Sequence, residues 1–122
     1  MIQFGVARFQ LYSQAMDMRK GINSLIAVVQ RDLGRDACAG DAFVFINKSR
    51  KLLKLLMAHQ SGFWLCQHRL ARGTFQQRLA RKSDGGPVAI ELSLVEWEAL
   101  LAGVVVEKSR QLPRFGGDNN DL

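Results

Sequence analysis

Apolar residues at Met18, Ile22, Leu25, Ile26, Val29 and Leu33 recur every three or four positions and predict an amphipathic helix over Met18–Leu33. Asp17 precedes it as a candidate N-cap, and Gly34 follows where a chain leaving a helix commonly turns left-handed. Shorter runs then replace the helical spacing. Ala42–Ile46, Leu52–Met57 and Phe63–Leu70 read as strands, and the intervening Asn47–Lys51 and Ala58–Gly62 have lengths that suit hairpin loops. Leu52-Leu53-Lys54-Leu55-Leu56 is also compatible with a helix, but its shortness and the turn residues on both sides favour a strand. Upstream, the brief alternation in Phe9–Tyr12 predicts a short strand at a sheet edge.

After Phe75 the pattern weakens through a polar, glycine-rich turn, Ser83–Pro87, and resumes as a strand at Val88–Leu92. Ser93-Leu94-Val95-Glu96 has the form of a capping box, in which the serine oxygen accepts the Glu96 amide and the glutamate reaches back to the Ser93 amide. A short helix follows, with Leu94, Trp97, Leu100 and Leu101 on its apolar face and Gly103 at its end. These elements predict one α+β domain over residues 1–110: an antiparallel β-meander packed against one main helix, plus a short C-terminal helix. Residues 111–122 have little to bury and read as a flexible tail.

A chain of 122 residues holds one core of its own without metal or disulfide. It has no apolar run near the ~20 residues that span a bilayer, and MIQFGVARFQLYSQ lacks the pattern of a secretory signal, so the sequence predicts a soluble, cytoplasmic protein with no membrane partner. Cys38 and Cys66 are then expected to be free thiols, too far apart for a C-x-x-C motif.

Charge changes the picture most. Between Ala42 and Ser83 stand Lys48, Arg50, Lys51, Lys54, Arg69, Arg72, Arg78, Arg81 and Lys82, and no aspartate or glutamate; the other 80 residues hold eight basic and eleven acidic side chains. Soluble surfaces normally intersperse the two signs, and a one-signed block suggests a polyanionic partner, DNA first. An acidic protein surface would also satisfy it. Lys48, Arg50 and Lys51 fall on a predicted hairpin loop and project from the sheet, which makes that loop the principal binding candidate. Arg19 and Lys20, in the first turn of the predicted helix, offer a second site for phosphate, unless Arg19 pairs with Asp17 instead. Phe63 and Trp64 alternate across a strand, so one joins the core while the other is open to stack on a base or to pack.

Metal-dependent strand transfer needs several converging carboxylates, and the basic block contains none. Asp17, Asp41 and Glu96 fit capping and loop roles, and no phosphate-binding glycine loop or nucleophile elbow is present. Cys38, His59, Cys66 and His68 are possible zinc ligands, but only Cys66 and His68 lie close in sequence, on one face of a strand. The expectation is a protein that is not an enzyme and has no metal or cofactor.

Asp17-Met18-Arg19-Lys20-Gly21-Ile22-Asn23-Ser24-Leu25, Gly40-Asp41-Ala42-Phe43-Val44-Phe45, Leu53-Lys54-Leu55-Leu56, Gly62-Phe63-Trp64-Leu65, Arg69-Leu70 and Gly73-Thr74-Phe75 stand in an order and spacing that resemble one family. It is the TnpB-type accessory protein, the product of the second reading frame, in insertion sequences of the IS-sixty-six type. The chain departs from that pattern at His59-Gln60-Ser61-Gly62, where an Asp-Gly-like turn is usual, at Cys66 for an aromatic, at His68 for a lysine, and at Gln76-Gln77 for Trp-Pro. The resemblance implies a protein encoded beside a separate transposase and needed for efficient movement of the element, with transposase and other element-encoded proteins as partners. It implies no defined catalytic residue, and it is distinct from the much longer RNA-guided nucleases that share the TnpB name.

Overall fold

Five consecutive apolar residues, Ala42–Ile46, are too many for a strand with one wet face, and they form the buried middle of a sheet. The computed structural model describes residues 6, 8–76 and 85–103. Its elements are β1 (Phe9–Tyr12), α1 (Ile22–Arg31), β2 (Ala42–Ile46), β3 (Leu52–His59), β4 (Gly62–Arg69), β5 (Ala89–Leu92) and α2 (Leu94–Ala102). The five strands lie in the order β4-β3-β2-β1-β5. All five β2 residues are buried, as expected of a strand covered on both faces.

The meander β2-β3-β4 is antiparallel throughout, and the strand reading of Leu52–Leu56 holds. β1 departs from the expectation of an edge strand. It lies inside the sheet, parallel to β2 and antiparallel to β5. The reason is α1, a crossover that returns the chain in the same direction, as a parallel pair requires. The apolar residues of β1 also serve both faces: Tyr12 packs beneath α1 with Phe43, Phe45 and Leu56, while Leu11 packs beneath α2 with Val44, Ile46 and Leu53.

The main helix begins one turn later than its apolar spacing suggests. Its N-cap is Gly21, not Asp17. Asp17 accepts the Arg19 amide at 2.9 Å and the Arg19 guanidinium at 2.7 to 3.1 Å, closing a side-chain turn that competes with the helix for the same backbone. The Lys54 ammonium, reaching up from β3, draws the Met18 and Lys20 carbonyls to itself at 2.7 and 2.9 Å. At the other end Gly34 makes the left-handed turn, with φ at 61°. The two ends of α2 follow the sequence closely: Ser93 Oγ accepts the Glu96 amide at 3.1 Å, Glu96 Oε1 accepts the Ser93 amide at 2.9 Å, and Gly103 closes the helix left-handed, while Leu94, expected on the apolar face, stays largely exposed. Trp97 then stacks on Phe9 at 4.5 Å, fixing α2 to the sheet.

The second hairpin is tighter than Ala58–Gly62 suggests. Pairing continues through Ala58↔Phe63 and His59↔Gly62, leaving only Gln60-Ser61 as the loop. Gln60 takes φ of 55°, a conformation that costs a side-chain-bearing residue about 1–2 kcal/mol and a glycine almost nothing. The anticipated tail, 111–122, and Ser83 and Asp84 of the Ser83–Pro87 turn lie outside the described residues. Gln60→Gly is expected to raise stability by about 1 kcal/mol, the left-handed strain less the added unfolded-chain entropy; urea denaturation measures it, and a lower midpoint would mean that Gln60 makes a compensating contact.

Candidate nucleic-acid interface

The chain turns at Asn47 because its side chain replaces ladder partners that the loop lacks. Asn47 Oδ1 accepts the Lys51 and Leu52 amides at 3.0 and 3.1 Å, while the Asn47 carbonyl accepts the Arg50 amide at 3.0 Å. Lys48, Arg50 and Lys51 are all exposed on this loop. Arg50 itself has φ of 60°, so an arginine occupies a backbone position that glycine would fill at lower cost.

A second segment folds back on the loop. The Leu70 amide donates to the Lys51 carbonyl at 3.0 Å, the Phe75 amide to the Arg50 carbonyl at 2.7 Å, and the Lys51 ammonium to the Gly73 carbonyl at 3.5 Å. Phe75 is wholly buried beneath α2, among Leu11, Ile46, Leu53 and Leu92, and anchors the segment. Arg69, the last residue of β4, and Arg72 are thereby held exposed beside the hairpin loop. Five cations from two chain segments share one end of the sheet.

Arg19 and Lys20 reach the same end by another route. The Met16 amide donates to the Ile46 carbonyl at 2.9 Å, at the top of β2, which places the Asp17–Lys20 turn near the start of the hairpin loop on the α1 side. Arg19 is bound to Asp17 in a bidentate ion pair, and the Arg19 hydrogen bonds hold the Asp17 carboxyl far below the usual carboxylate range. A carboxylate with a lowered pKa contributes its stabilisation above the unfolded value and loses it only as pH falls through the folded one. The pair therefore persists through the ordinary range of carboxylate titration. Lys54 is a half-buried structural tie rather than a projecting cation, with its ammonium on two backbone carbonyls. Arg78, Arg81 and Lys82 lie outside the described residues.

Phe63 packs partly against the α1 core, while Trp64, on the opposite face, is 49% exposed. Cys38 and Cys66 are free thiols. Among the described residues no group of three or more histidine, cysteine, aspartate or glutamate side chains could hold a metal ion, and no helix there is long and apolar enough to cross a membrane. The sequence reading missed Asn47 and Phe75 as the organisers of the basic end. Asparagine at the head of a loop is a recognisable turn residue, whereas nothing local to Phe75 shows that its amide closes on Arg50.

Asn47→Ala leaves the Lys51 and Leu52 amides without their acceptor, one of them part-buried, and is expected to cost about 1–2 kcal/mol. Thermal unfolding measures it, and a loss below a few tenths would show that the Phe75 anchor alone holds the loop.

The IS66 Orf2-like protein family matches residues 7–111. Two proteins of Sinorhizobium fredii (strain NBRC 101917 / NGR234) are similar over most of their length: uncharacterized protein y4hO, 35% identical over 88 residues covering 72% of each chain, and uncharacterized protein y4jC, 31% identical over 106 residues covering 87% of this chain and 86% of the relative. No solved structure matches. The cation-bearing hairpin, the α1 crossover and the capped α2 all fall within the matched span, and this chain belongs to the IS66 Orf2-like family of insertion-sequence accessory proteins.

Proposed function

We propose that this protein is a non-catalytic accessory factor in DNA transposition, contacting duplex DNA through the end of the sheet that carries Lys48, Arg50, Lys51, Arg69 and Arg72 and assisting a separate transposase. One observation carries the reading. Two segments distant in sequence are bonded together, through Phe75 to Arg50 and Leu70 to Lys51, so that five exposed cations gather with no carboxylate from the Ala42–Ser83 block among them. Such a cluster is costly to hold by self-repulsion and matches a phosphate backbone. Arg50 adds support, because its left-handed backbone keeps an arginine where stability alone favours glycine. Contacts of this type position a protein on duplex without reading bases. Arg78, Arg81 and Lys82 extend the basic path in sequence, and Arg19 and Lys20 flank it.

A second reading, a module that binds the transposase without touching DNA, is favoured by Leu94 and Val95. These are 59% and 65% exposed in the first turn of α2, near the end of β5 that pairs with Phe9 and thus away from the basic loop. Capture of transposase that survives nuclease digestion unchanged would favour this reading over DNA contact.

If the five clustered cations each meet a phosphate, log affinity should fall against log salt with a slope of about −4.5. Titration of labelled duplex at several salt concentrations tests this, and a flat response or no binding at low salt would sink the DNA reading. Arg50→Gly should move two quantities in opposite directions. Stability rises or holds, because the left-handed strain is relieved, while duplex affinity and the salt slope both fall, the slope by about 0.9. In cells, replacing Lys48, Arg50 and Lys51 together by glutamate should abolish movement of the element while the circular-dichroism spectrum stays native, since loop charges contribute little to stability. Normal movement by that folded variant would remove the hairpin from the functional surface.

A further inference from the structure

The two edges of the sheet differ sharply. β5 is four residues long and carries Glu91, which meets Arg8 at 3.8 Å. β4, at the opposite edge, is eight residues, Gly-Phe-Trp-Leu-Cys-Gln-His-Arg, with no lysine, acid, proline or bulge, and pairs with β3 without interruption. Short length, charge, proline and bulges are the means by which edge strands avoid pairing with other chains. β4 has none of them until Arg69. Among the described residues no strand pairs with its outer side and no backbone–backbone bond reaches it.

The direction of its free groups follows from the ladder. His59↔Gly62 closes the hairpin, and the Leu70 amide donates to Lys51 on the continuation of the same register. Even-numbered β4 residues therefore exchange hydrogen bonds with β3, and Phe63, Leu65, Gln67 and Arg69 turn their amides and carbonyls outward. Under a two-fold axis normal to the sheet, one register engages all four on both copies: Phe63 opposite Arg69, Leu65 opposite Gln67, and Cys66 opposite Cys66 on the axis. No two like charges face each other in it. The antiparallel arrangement also sets the basic end of each copy beside the far end of its partner, so the two positive poles stand apart.

We infer that β4 is the docking edge for a second copy of this chain, forming a ten-stranded sheet centred on Cys66 whose two basic ends point in opposite directions. The dimer deepens the DNA reading and rests on it in one respect only: with the poles opposed, the two cation clusters hold two separate duplex segments rather than one. At a non-hydrogen-bonded position on the axis the two Cys66 Cα atoms lie about 4.5 Å apart, inside the ~4.4–6.8 Å range of a disulfide.

The full chain carrying Cys38→Ser is sedimented and then oxidised with copper phenanthroline. The expected result is a dimer that becomes linked through Cys66 and is reversed by reductant, while a Cys66→Ser, Cys38-only control stays unlinked. Gln67→Pro, at an exposed edge position whose amide faces outward, should weaken dimerisation by about tenfold or more, since two symmetry-related donors are lost. A chain that stays monomeric at its highest soluble concentration and forms no Cys66 link overturns the proposal, as does a folded Gln67→Pro variant that dimerises like the parent. For the two poles, an immobilised duplex should capture a second, labelled duplex only through the dimer. A Cys66-linked dimer that binds duplex but captures no second one overturns the opposed-pole geometry. A linked dimer that binds no duplex at all supports the β4 pairing and removes the DNA reading instead.

Discussion

Everything in this molecule is arranged around a strand that has no solvent face. β2 is buried along its whole length, so the sheet needs a core on each side, one supplied by α1 and the other by α2 with the Phe75 segment. The same constraint sorts the charges. A block that is one-fifth lysine and arginine runs through β2, β3 and β4, and an unpaired cation cannot lie within either core. Lys48, Arg50, Lys51, Arg69 and Arg72 are displaced to the end of a strand and to the loops beyond it, and the gathering of positive charge at one end of the sheet follows from how the interior is filled.

Lys54 shows what happens when a cation does not leave. It sits on the α1 face opposite Phe45 and Gln67, and its ammonium is satisfied by the Met18 and Lys20 carbonyls rather than by an acid. The price of that arrangement is the first turn of the helix. Four residues with good helical spacing are held in a turn instead, and the exposed Asp17–Arg19 pair completes it. A side chain on β3 thus decides where α1 starts.

This explains what could be read from the sequence and what could not. The strands β2 to β4, the capping box at Ser93 and the left-handed glycines after both helices depend on residues within a few positions of one another, and local pattern revealed them. The start of α1 depends on Lys54, more than thirty residues away, and the interior position of β1 depends on a crossover and on β5; no window of neighbouring residues contains either. For the basic end, the loop cations were visible as a charge run, but their union with Arg69 and Arg72 passes through backbone bonds from Leu70 and Phe75 that leave no mark in composition. The two-residue hairpin at Gln60 was hidden for the opposite reason, because the residue there is not one that normally signals such a turn.

The pairing of β1 with β5 has a consequence for the birth of the protein. Phe9 meets Leu92, and Tyr12 meets Ala89, so one side of an interior strand stays open until the ribosome has added about eighty more residues, roughly 4–16 s at ordinary rates of synthesis. Once β4 has emerged β1 and the meander can already be joined, yet the face that α2 covers, including Leu11 and Val44, has only the Phe75 segment over it. The nascent chain is therefore most vulnerable to capture by other chains or by chaperones just before α2 emerges, and premature termination shortly before Ser93 would release a sheet whose second apolar face is covered by the Phe75 segment alone.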